Sequence, residues 1–320
     1  METAIADQKS RLTPFSLRLE HFGRRIDFHA PGLKRYATEE LEQTAPDRFT
    51  AVSLTGSKCA LQCDHCKSSV LEGMRAIPSG QSLFELAQGL AARGGRGLLV
   101  SGGMSVEGRV PHLDHLEDIV RVKRELGQKV ILHTGLVDRQ SARAMKAAGV
   151  DGAFIDIIGA DETIHQVYHL KKKHVADFED SLAALCEAGL TVVPHIVLGL
   201  HYGKMLGEET ALEIVARYPV SALILVILMP ILSTPMREIE PPPAEEVGGF
   251  FARARLRLPA TPVYLGCARP GGAHKRMTDR LAVDMGLNGI AYPAEGIVAH
   301  ARGRGLEPTF HETCCSIHDV

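Results

Sequence analysis

Hydrophobic and polar positions follow two alternating patterns along this chain. Short apolar runs, which are typical of buried strands, are separated by amphipathic stretches with the three- and four-residue spacing of helices. The runs that predict strands are FTAVSLTG, RGLLVSGG, KVILHTG, GAFIDIIG, TVVPHIVLG, ALILVILMP, TPVYLGC and NGIAYPA. Stretches between them, such as SLFELAQGLAARG and DFEDSLAALCEAG, predict helices that end at a glycine.

This alternation predicts an α/β fold built on parallel strands. Eight strand-helix units in about 250 residues are expected for a (β/α)8 TIM-type barrel, full or nearly full. A doubly wound open sheet has the same periodicity and is the alternative at this point. We divide the chain into an N-terminal extension over residues 1–48, the barrel over residues 49–304 and a C-terminal tail over residues 305–320. Both folds bind ligands at the carboxyl ends of their strands.

Composition and charge exclude several classes of partner. The formal net charge of -2 gives no general attraction to nucleic acid or to anionic lipid. The longest apolar run, VSALILVILMPIL, contains a proline and is shorter than the roughly 20 residues that span a bilayer. The first residues, METAIADQKSRLTPF, lack the apolar segment of a signal peptide. We therefore expect a cytoplasmic protein that binds neither nucleic acid nor a membrane.

Three of the seven cysteines crowd into the loop after the first predicted strand, SLTGSKCALQCDHCKSSV. Cys59, Cys63 and Cys66 cannot all form disulfides with one another, and disulfides are rare in cytoplasmic proteins. Thiolates are soft ligands that suit zinc or an iron–sulfur cluster. Zinc would need a fourth ligand, and His65 would reach that position only with strain. Three thiolates can instead hold three corners of a cubane and leave its fourth iron open.

The C-x3-C-x2-C spacing resembles the signature of the radical S-adenosylmethionine superfamily. The resemblance implies a 4Fe–4S cluster on these three cysteines, whose open iron binds S-adenosylmethionine. It also implies that the backbone at Ser101, Gly102 and Gly103 meets the methionyl amine of the cofactor, since glycine permits close approach. Met104 stands where an acidic residue is common in the family. An ordinary strand-to-helix turn is the alternative for this segment.

Further cofactor contacts follow from the same resemblance. Asp156 ends the fourth strand, where relatives use a polar residue on the ribose hydroxyls, although a helix cap or a salt bridge would also explain it. Lys173, the last residue of a lysine run, is the candidate cation for the cofactor carboxylate, with a solvated turn as the alternative. His133 on the third strand is placed to line the pocket, or to form a structural hydrogen bond inside the barrel.

Four cysteines remain. Cys186 lies within a predicted helix, and we interpret it as a small core residue. Cys267 ends the seventh strand, while Cys314 and Cys315 lie in the tail, which could return over the barrel mouth. We predict that these three hold an auxiliary 4Fe–4S cluster, completed by Ser316, His318 or an external ligand. A redox thiol pair or an inert tail is the alternative.

The segment from VYLGCARP through NGIAYPAE resembles the C-terminal part of biotin synthase. Arg269 falls on the arginine that ligates the auxiliary cluster of that enzyme, but the matching cysteines are missing from the second, third and fifth strands here. Arg269 is therefore expected to donate hydrogen bonds to the cluster or substrate. Over nearly its full length, from RRIDFHAPGLKRY to CCSIH, the chain resembles the two-component lipoyl synthases.

That resemblance implies a radical sulfurtransferase that inserts sulfur into a protein-bound octanoyl chain. The expected partners are an octanoylated lipoyl carrier protein or peptide, the homologous second component, and an electron donor such as ferredoxin or flavodoxin. Two other functions are open. One is a radical enzyme of the same branch that acts on a small molecule, and the other is a non-catalytic iron–sulfur maturation scaffold.

Overall fold

A computed structural model describes residues 13–317, which form one sheet of eleven strands surrounded by helices. The strands are β1 (Arg25–His29), β2 (Phe49–Ser53), β3 (Arg75–Ala76), β4 (Gly97–Ser101), β5 (Lys129–Thr134), β6 (Gly152–Asp156), β7 (Val192–Leu198), β8 (Leu223–Ile227), β9 (Val263–Leu265), β10 (Gly289–Ala291) and β11 (Glu307–His311). The α-helices are α1 (Pro14–Phe22), α2 (Leu83–Ala91), α3 (Leu116–Arg121), α4 (Arg139–Ala147), α5 (Asp161–Gln166), α6 (Val175–Glu187), α7 (Glu208–Val215), α8 (Ala244–Arg257), α9 (Gly272–Asp284) and α10 (Ile297–Gly303).

Every pairing in the sheet is parallel, in the order β11-β1-β10-β9-β8-β7-β6-β5-β4-β2-β3. The eight strands predicted from the apolar runs are β2 and β4 to β10, in consecutive order around the sheet. Their connections contain helices, because a parallel pair needs a long crossover. The sheet curls toward a barrel, so the prediction of a TIM-type α/β fold is confirmed.

Helix boundaries follow local hydrogen-bonding chemistry. Before α2, Ser82 Oγ accepts a hydrogen bond from the Glu85 amide, and the Glu85 carboxylate accepts one from the Ser82 amide. Before α4, the Asp138 carboxylate accepts a hydrogen bond from the Ser141 amide. These contacts satisfy amide groups that have no partner within the first turn of a helix. The amphipathic stretch LDHLEDIVRVKREL has the pattern of a single helix. The structure divides it into a 3₁₀ turn, the short α3 and a π turn.

The core has two layers because both faces of the sheet are covered. Leu98 and Leu132 face the helices, whereas their neighbours Leu99 and Ile131 face the barrel interior. The interior layer includes Phe154, and it continues around the sheet through further apolar residues. This two-sided burial explains why the strands read as continuous apolar runs. No described helix is long and apolar enough to cross a membrane.

Three strands were not predicted. β1 lies within the N-terminal extension, where Asp27 pairs with Gly289 of β10 on one side and with Thr309 of β11 on the other. Just after β1, the Gly32 amide donates a 3.3 Å hydrogen bond to the Phe49 carbonyl at the start of β2. This contact links the two ends of the curled sheet. β1, β3 and β11 are short and contain polar residues, so their sequences carry no clear strand signal.

The Gly32 contact yields a first prediction. A β-carbon at residue 32 would stand 2.3 Å from the Pro46 carbonyl oxygen and 2.7 Å from that of Phe49. Gly32→Ala should therefore lower the free energy of unfolding by about 1–3 kcal/mol, which is the usual cost of overpacking. Chemical denaturation measures the change. Gly303→Ala is the matched control, since nothing lies within 4 Å of its added carbon, and equal stabilities of the two variants would contradict this account of closure.

Candidate active site

The three clustered cysteines occupy the loop between β2 and β3, at the carboxyl end of the first barrel strand. Cys63 and Cys66 are buried, with 5% and 7% of their surface exposed, and Cys59 is partly exposed. Hydrogen bonding between the Cys63 and Cys66 thiols raises the pKa of Cys63 and lowers the pKa of Cys66 to about 4. Neighbouring thiols whose pKa values are linked in this way suit a cation or cluster that binds both as thiolates.

Asp64 connects this loop, through hydrogen bonds and ion pairs, to the loops that follow β6 and β7. Its carboxylate accepts a 2.8 Å hydrogen bond from the Tyr202 hydroxyl, and it contacts Lys67 at 2.9 Å and His169 at 3.2 Å. Its amide donates to the Val167 carbonyl at 2.9 Å. The position of the three thiols therefore depends on contacts from the β6 and β7 sides of the barrel mouth.

The Ser101–Gly103 segment lies directly against the cysteine loop. A β-carbon on Gly103 would stand 1.9 Å from the Lys58 carbonyl oxygen and 2.6 Å from Cys59 Cα. Thr55 ties the two segments together, because its hydroxyl accepts a 2.7 Å hydrogen bond from the Gly103 amide and donates one to the Lys58 carbonyl at 2.8 Å. The lack of a side chain at Gly103 therefore allows the two backbone segments to pack closely. Contact with a methionyl amine stays a prediction.

Among the residues that the structure describes, positive φ angles outside glycine are confined to the surroundings of the cysteines. Within the described residues, positive φ angles outside glycine occur at Gln62, Lys67, Ser68, His169, Tyr202, Tyr292 and Ser316. The first five belong to the Cys59–Cys66 loop and its partners around Asp64. The last two lie beside Cys267, Cys314 and Cys315. Such conformations carry an energetic cost and cluster at functional sites, which supports a function for both groups of thiols.

His133 and Asp156 come together inside the barrel, and a third residue, His195, joins them. His133 Nε2 lies 3.7 Å from Asp156 Oδ1, and the two imidazole centroids are 5.3 Å apart. The Tyr168 hydroxyl donates to Asp156 Oδ2 at 3.1 Å. Burial and the nearby His133 lower the pKa of His195 to about 3, so its imidazole is neutral. His195 was missed from the sequence, although it is a polar residue within the apolar run TVVPHIVLG.

Lys173 lies apart from this group. Its ammonium contacts the Asp177 carboxylate at 3.0 Å, in a surface cleft of about 410 Å³ that Arg109, Leu136 and Asp138 also line. A second, smaller cavity contains Asp156 and Tyr168, and the two cavities share Leu136. The role of Lys173 toward a cofactor carboxylate stays a prediction.

The other three candidate cysteine ligands converge on the opposite end of the curled sheet. β11 pairs with β1, and the Ala30 amide donates to the His311 carbonyl at 2.9 Å, so the tail returns over the barrel mouth. Cys314 and Cys315 are buried in the interior layer, and Cys267 packs against them. Burial and the neighbouring Cys267 thiol raise the pKa of Cys315. By contrast, Cys186 packs against the helix side of the core, as predicted.

Burial raises the pKa of Cys267, Cys314 and Cys315, so none of these thiols ionises readily alone. Cations oppose this effect. Arg269 lowers the pKa of Cys267 and of Cys315, and Lys34 lowers that of Cys267. Two buried cysteines and the partly buried Cys267, beside positive charge, form a donor set that fits an anionic thiolate-bound cluster.

Arg269 is buried and saturated with hydrogen bonds. Its guanidinium forms a two-point contact with Asp279 at 2.7 and 3.1 Å, and it also donates to the Gly266, Ala291 and Tyr292 carbonyls. These contacts hold the loops after β9 and β10 together. A catalytic role for Arg269 stays a prediction, and its charge lies close to Cys267 and Cys315.

Ser316 follows the cysteine pair, and its hydroxyl is a buried polar atom without a hydrogen-bond partner among the described residues. Such an orphaned group fits the expectation that Ser316 completes a ligand set. The alternative fourth ligand, His318, lies outside the described residues.

Lys34 was not identified from the sequence because it belongs to the N-terminal extension. Only the folded chain brings its ammonium over the Tyr292 ring, 4.5 Å from the ring centroid.

The packing of Gly103 yields a second prediction. Gly103→Ala should displace Cys59 and reduce the iron bound by the first cysteine loop, because the added carbon collides with backbone atoms of residues 58 and 59. Gly102→Ala is the matched control, since its added carbon would meet Thr55 at 3.4 Å. Iron and sulfide analysis after anaerobic reconstitution measures the effect. Equal iron content in both variants would contradict the proposed packing role.

Comparisons with known proteins agree with this geometry. The chain is 26% identical to the biotin synthase of Leptothrix cholodnii over 69% of its length and 64% of that protein, and 24% identical to biotin synthase 2 of a Polaromonas species over 69% and 65%. It thus spans less than two thirds of these relatives.

Solved structures with the same fold include the FeFe-hydrogenase maturase HydG from Carboxydothermus hydrogenoformans, with a TM-score of 0.65, 17% identity, and coverage of 93% of this chain and 70% of that one. The methylornithine synthase PylB gives a TM-score of 0.58, 13% identity, and coverage of 92% and 86%.

The sequence profile of the radical SAM superfamily matches residues 53–215, about half of the chain. The match begins at the end of β2 and therefore includes the Cys59–Cys66 loop, the glycine segment and the strands that carry His133, Asp156 and His195. This family implies a 4Fe–4S cluster and S-adenosylmethionine, which the three thiols and the adjoining glycines fit. The chain belongs to the radical SAM superfamily.

Proposed function

We propose that the chain is a radical sulfurtransferase that inserts sulfur into an octanoyl chain carried on a protein lysine, as one of two cooperating lipoyl synthase components. The observation that carries this proposal is the convergence of Cys267, Cys314 and Cys315 in the same barrel whose mouth holds Cys59, Cys63 and Cys66. Sulfur insertion needs a source of sulfur close to the substrate carbon, and an auxiliary cluster on the second group of thiols would supply it.

When bound, the first cluster and S-adenosylmethionine supply a 5'-deoxyadenosyl radical, which can remove a hydrogen atom from an unactivated carbon. The protein has to position the substrate and exclude water. Cys59, Cys63 and Cys66 would hold the cluster, and the Asp64 contacts would fix their loop.

The auxiliary cluster would serve as a substrate, because one of its sulfides would leave with the product. Cys267, Cys314 and Cys315 would hold it within the interior layer, with Ser316 available beside them. The Arg269 and Lys34 charges would stabilise the thiolates. Apolar interior side chains such as Ile131, Phe154 and Val193 suit contact with an alkyl chain.

The partners in this proposal are an octanoylated carrier protein or peptide, the second lipoyl synthase component, and ferredoxin or flavodoxin as the electron donor. A second candidate is a radical enzyme of the biotin synthase type that acts on a small molecule. The polar group formed by His133, Asp156 and His195 favours that candidate, because it would suit a polar substrate better than an alkyl chain. The similarity to biotin synthases also supports it.

A labelling experiment separates these functions. Protein reconstituted with ³⁴S-sulfide should transfer the label to an octanoyl-lysine peptide in the presence of S-adenosylmethionine and a reductant, and mass spectrometry should show a single added sulfur per chain without the second component. The carbon radical has to form within contact distance of the cluster sulfur for this transfer to occur.

The variant with Cys267, Cys314 and Cys315 all changed to alanine should still release 5'-deoxyadenosine but give no thiolated peptide. Cys186→Ala is the matched control, and it should retain the transfer because this residue lies on the helix side of the core. Unlabelled product from a labelled cluster would contradict the donor role. Absence of sulfur transfer to any octanoyl carrier would favour the small-molecule candidate.

A further inference from the structure

Three potential metal ligands meet inside the barrel, separate from either group of thiols. His133, Asp156 and His195 come from three adjacent strands, β5, β6 and β7. Asp156 and His195 are direct partners in the β6–β7 register, and His133 pairs with Phe154, two positions before Asp156. The parallel register thus brings three side chains to one face at nearly one level.

The donor atoms of these residues lie within metal-binding range of one another. One atom from each side chain, an imidazole nitrogen or a carboxylate oxygen, can be chosen so that all three are within 4.8 Å. Ligands of one tetrahedral zinc ion stand roughly 3–3.5 Å apart, given bonds of about 2.0–2.2 Å. Small side-chain rotations would close that difference, because the three residues are only partly buried.

The surrounding hydrogen bonds leave the required atoms available. His195 Nδ1 faces the Val193 carbonyl at 3.2 Å, so it carries the proton and leaves the Nε2 lone pair for a ligand. The Tyr168 hydroxyl donates to Asp156 Oδ2, while Oδ1 is turned toward His133 Nε2. A histidine held by a backbone carbonyl and a carboxylate held by a hydroxyl are the usual outer contacts of protein metal ligands.

We propose that His133, Asp156 and His195 bind one divalent first-row transition metal ion, zinc or ferrous iron, inside the barrel. Two imidazoles and one carboxylate suit these ions, and they leave coordination positions open for water or for an oxygen or nitrogen atom of a substrate. The site is independent of sulfur insertion. It also gives Asp156 a role different from the contact with ribose hydroxyls, and the two roles can be separated.

Zinc is the suitable probe, because it can be counted apart from cluster iron. Protein with both groups of thiols filled by anaerobic reconstitution should be freed of loose metal by a chelator and then titrated with zinc. We expect one zinc ion per chain, with an X-ray absorption spectrum of two imidazoles and further oxygen or nitrogen ligands at about 2.0–2.1 Å. Sulfur neighbours at about 2.3 Å would place the metal on cysteines and overturn the proposal.

Substitutions make the test specific. His195→Gln and Asp156→Asn should each weaken zinc binding by roughly 100-fold or more, while Tyr168→Phe should weaken it by about tenfold, since outer partners of ligands contribute about 10–100-fold. His21→Gln, on the exposed face of α1, is the control and should bind zinc as the wild type does. Iron content and circular dichroism report whether each variant keeps its clusters and fold.

Zinc binding by the Asp156→Asn variant distinguishes the two roles of Asp156. An asparagine can still hydrogen-bond to ribose hydroxyls but is a much poorer metal ligand than a carboxylate. The metal assignment therefore predicts that Asp156→Asn loses zinc, whereas a role confined to the ribose hydroxyls predicts that this variant binds zinc as the wild type does. Zinc binding that is unchanged in both His195→Gln and Asp156→Asn would refute the site.

Discussion

Parallel pairing of all the described strands determines where chemistry can take place in this chain. When every strand runs in the same direction, every loop that follows a strand emerges at the same end of the sheet. Cys59, Cys63 and Cys66 follow β2, and Cys267 follows β9, so residues more than 200 positions apart share one rim. The tail reaches the same rim because β11 is itself parallel to β1.

Around that rim, the two groups of thiols are held in different ways. The first group lies on a strained loop that Asp64 fastens to residues from two later strands, so its shape depends on the barrel having folded. The second group is buried in the apolar interior, beside the charges of Arg269 and Lys34. Such burial keeps the thiols protonated when alone, whereas ligation by iron would remove their protons.

Much of the fold could be predicted because both faces of the sheet are covered. Continuous apolar runs marked eight strands, and all eight are present. β1, β3 and β11 could not be predicted because they are short and contain polar residues. In addition, β1 pairs with strands more than 200 residues away in the sequence, and β3 has only two residues. The Cys59–Cys66 loop could be recognised because its metal ligands are close in sequence, so their spacing alone indicates the type of site. His195 and Lys34 could not be recognised from the sequence. Each is a single polar residue, and its role becomes visible only when strand register or the folded tail brings other polar residues close to it.

The central claim is that two separate groups of three cysteines each hold a cluster on one barrel. Iron content per chain after anaerobic reconstitution tests it most directly. The account predicts about eight iron atoms in the wild type and about four in each of two variants, one with Cys59, Cys63 and Cys66 changed to alanine and one with Cys267, Cys314 and Cys315 changed. Only the second variant should still cleave S-adenosylmethionine. Iron content that is unchanged after loss of Cys267, Cys314 and Cys315 would contradict the claim.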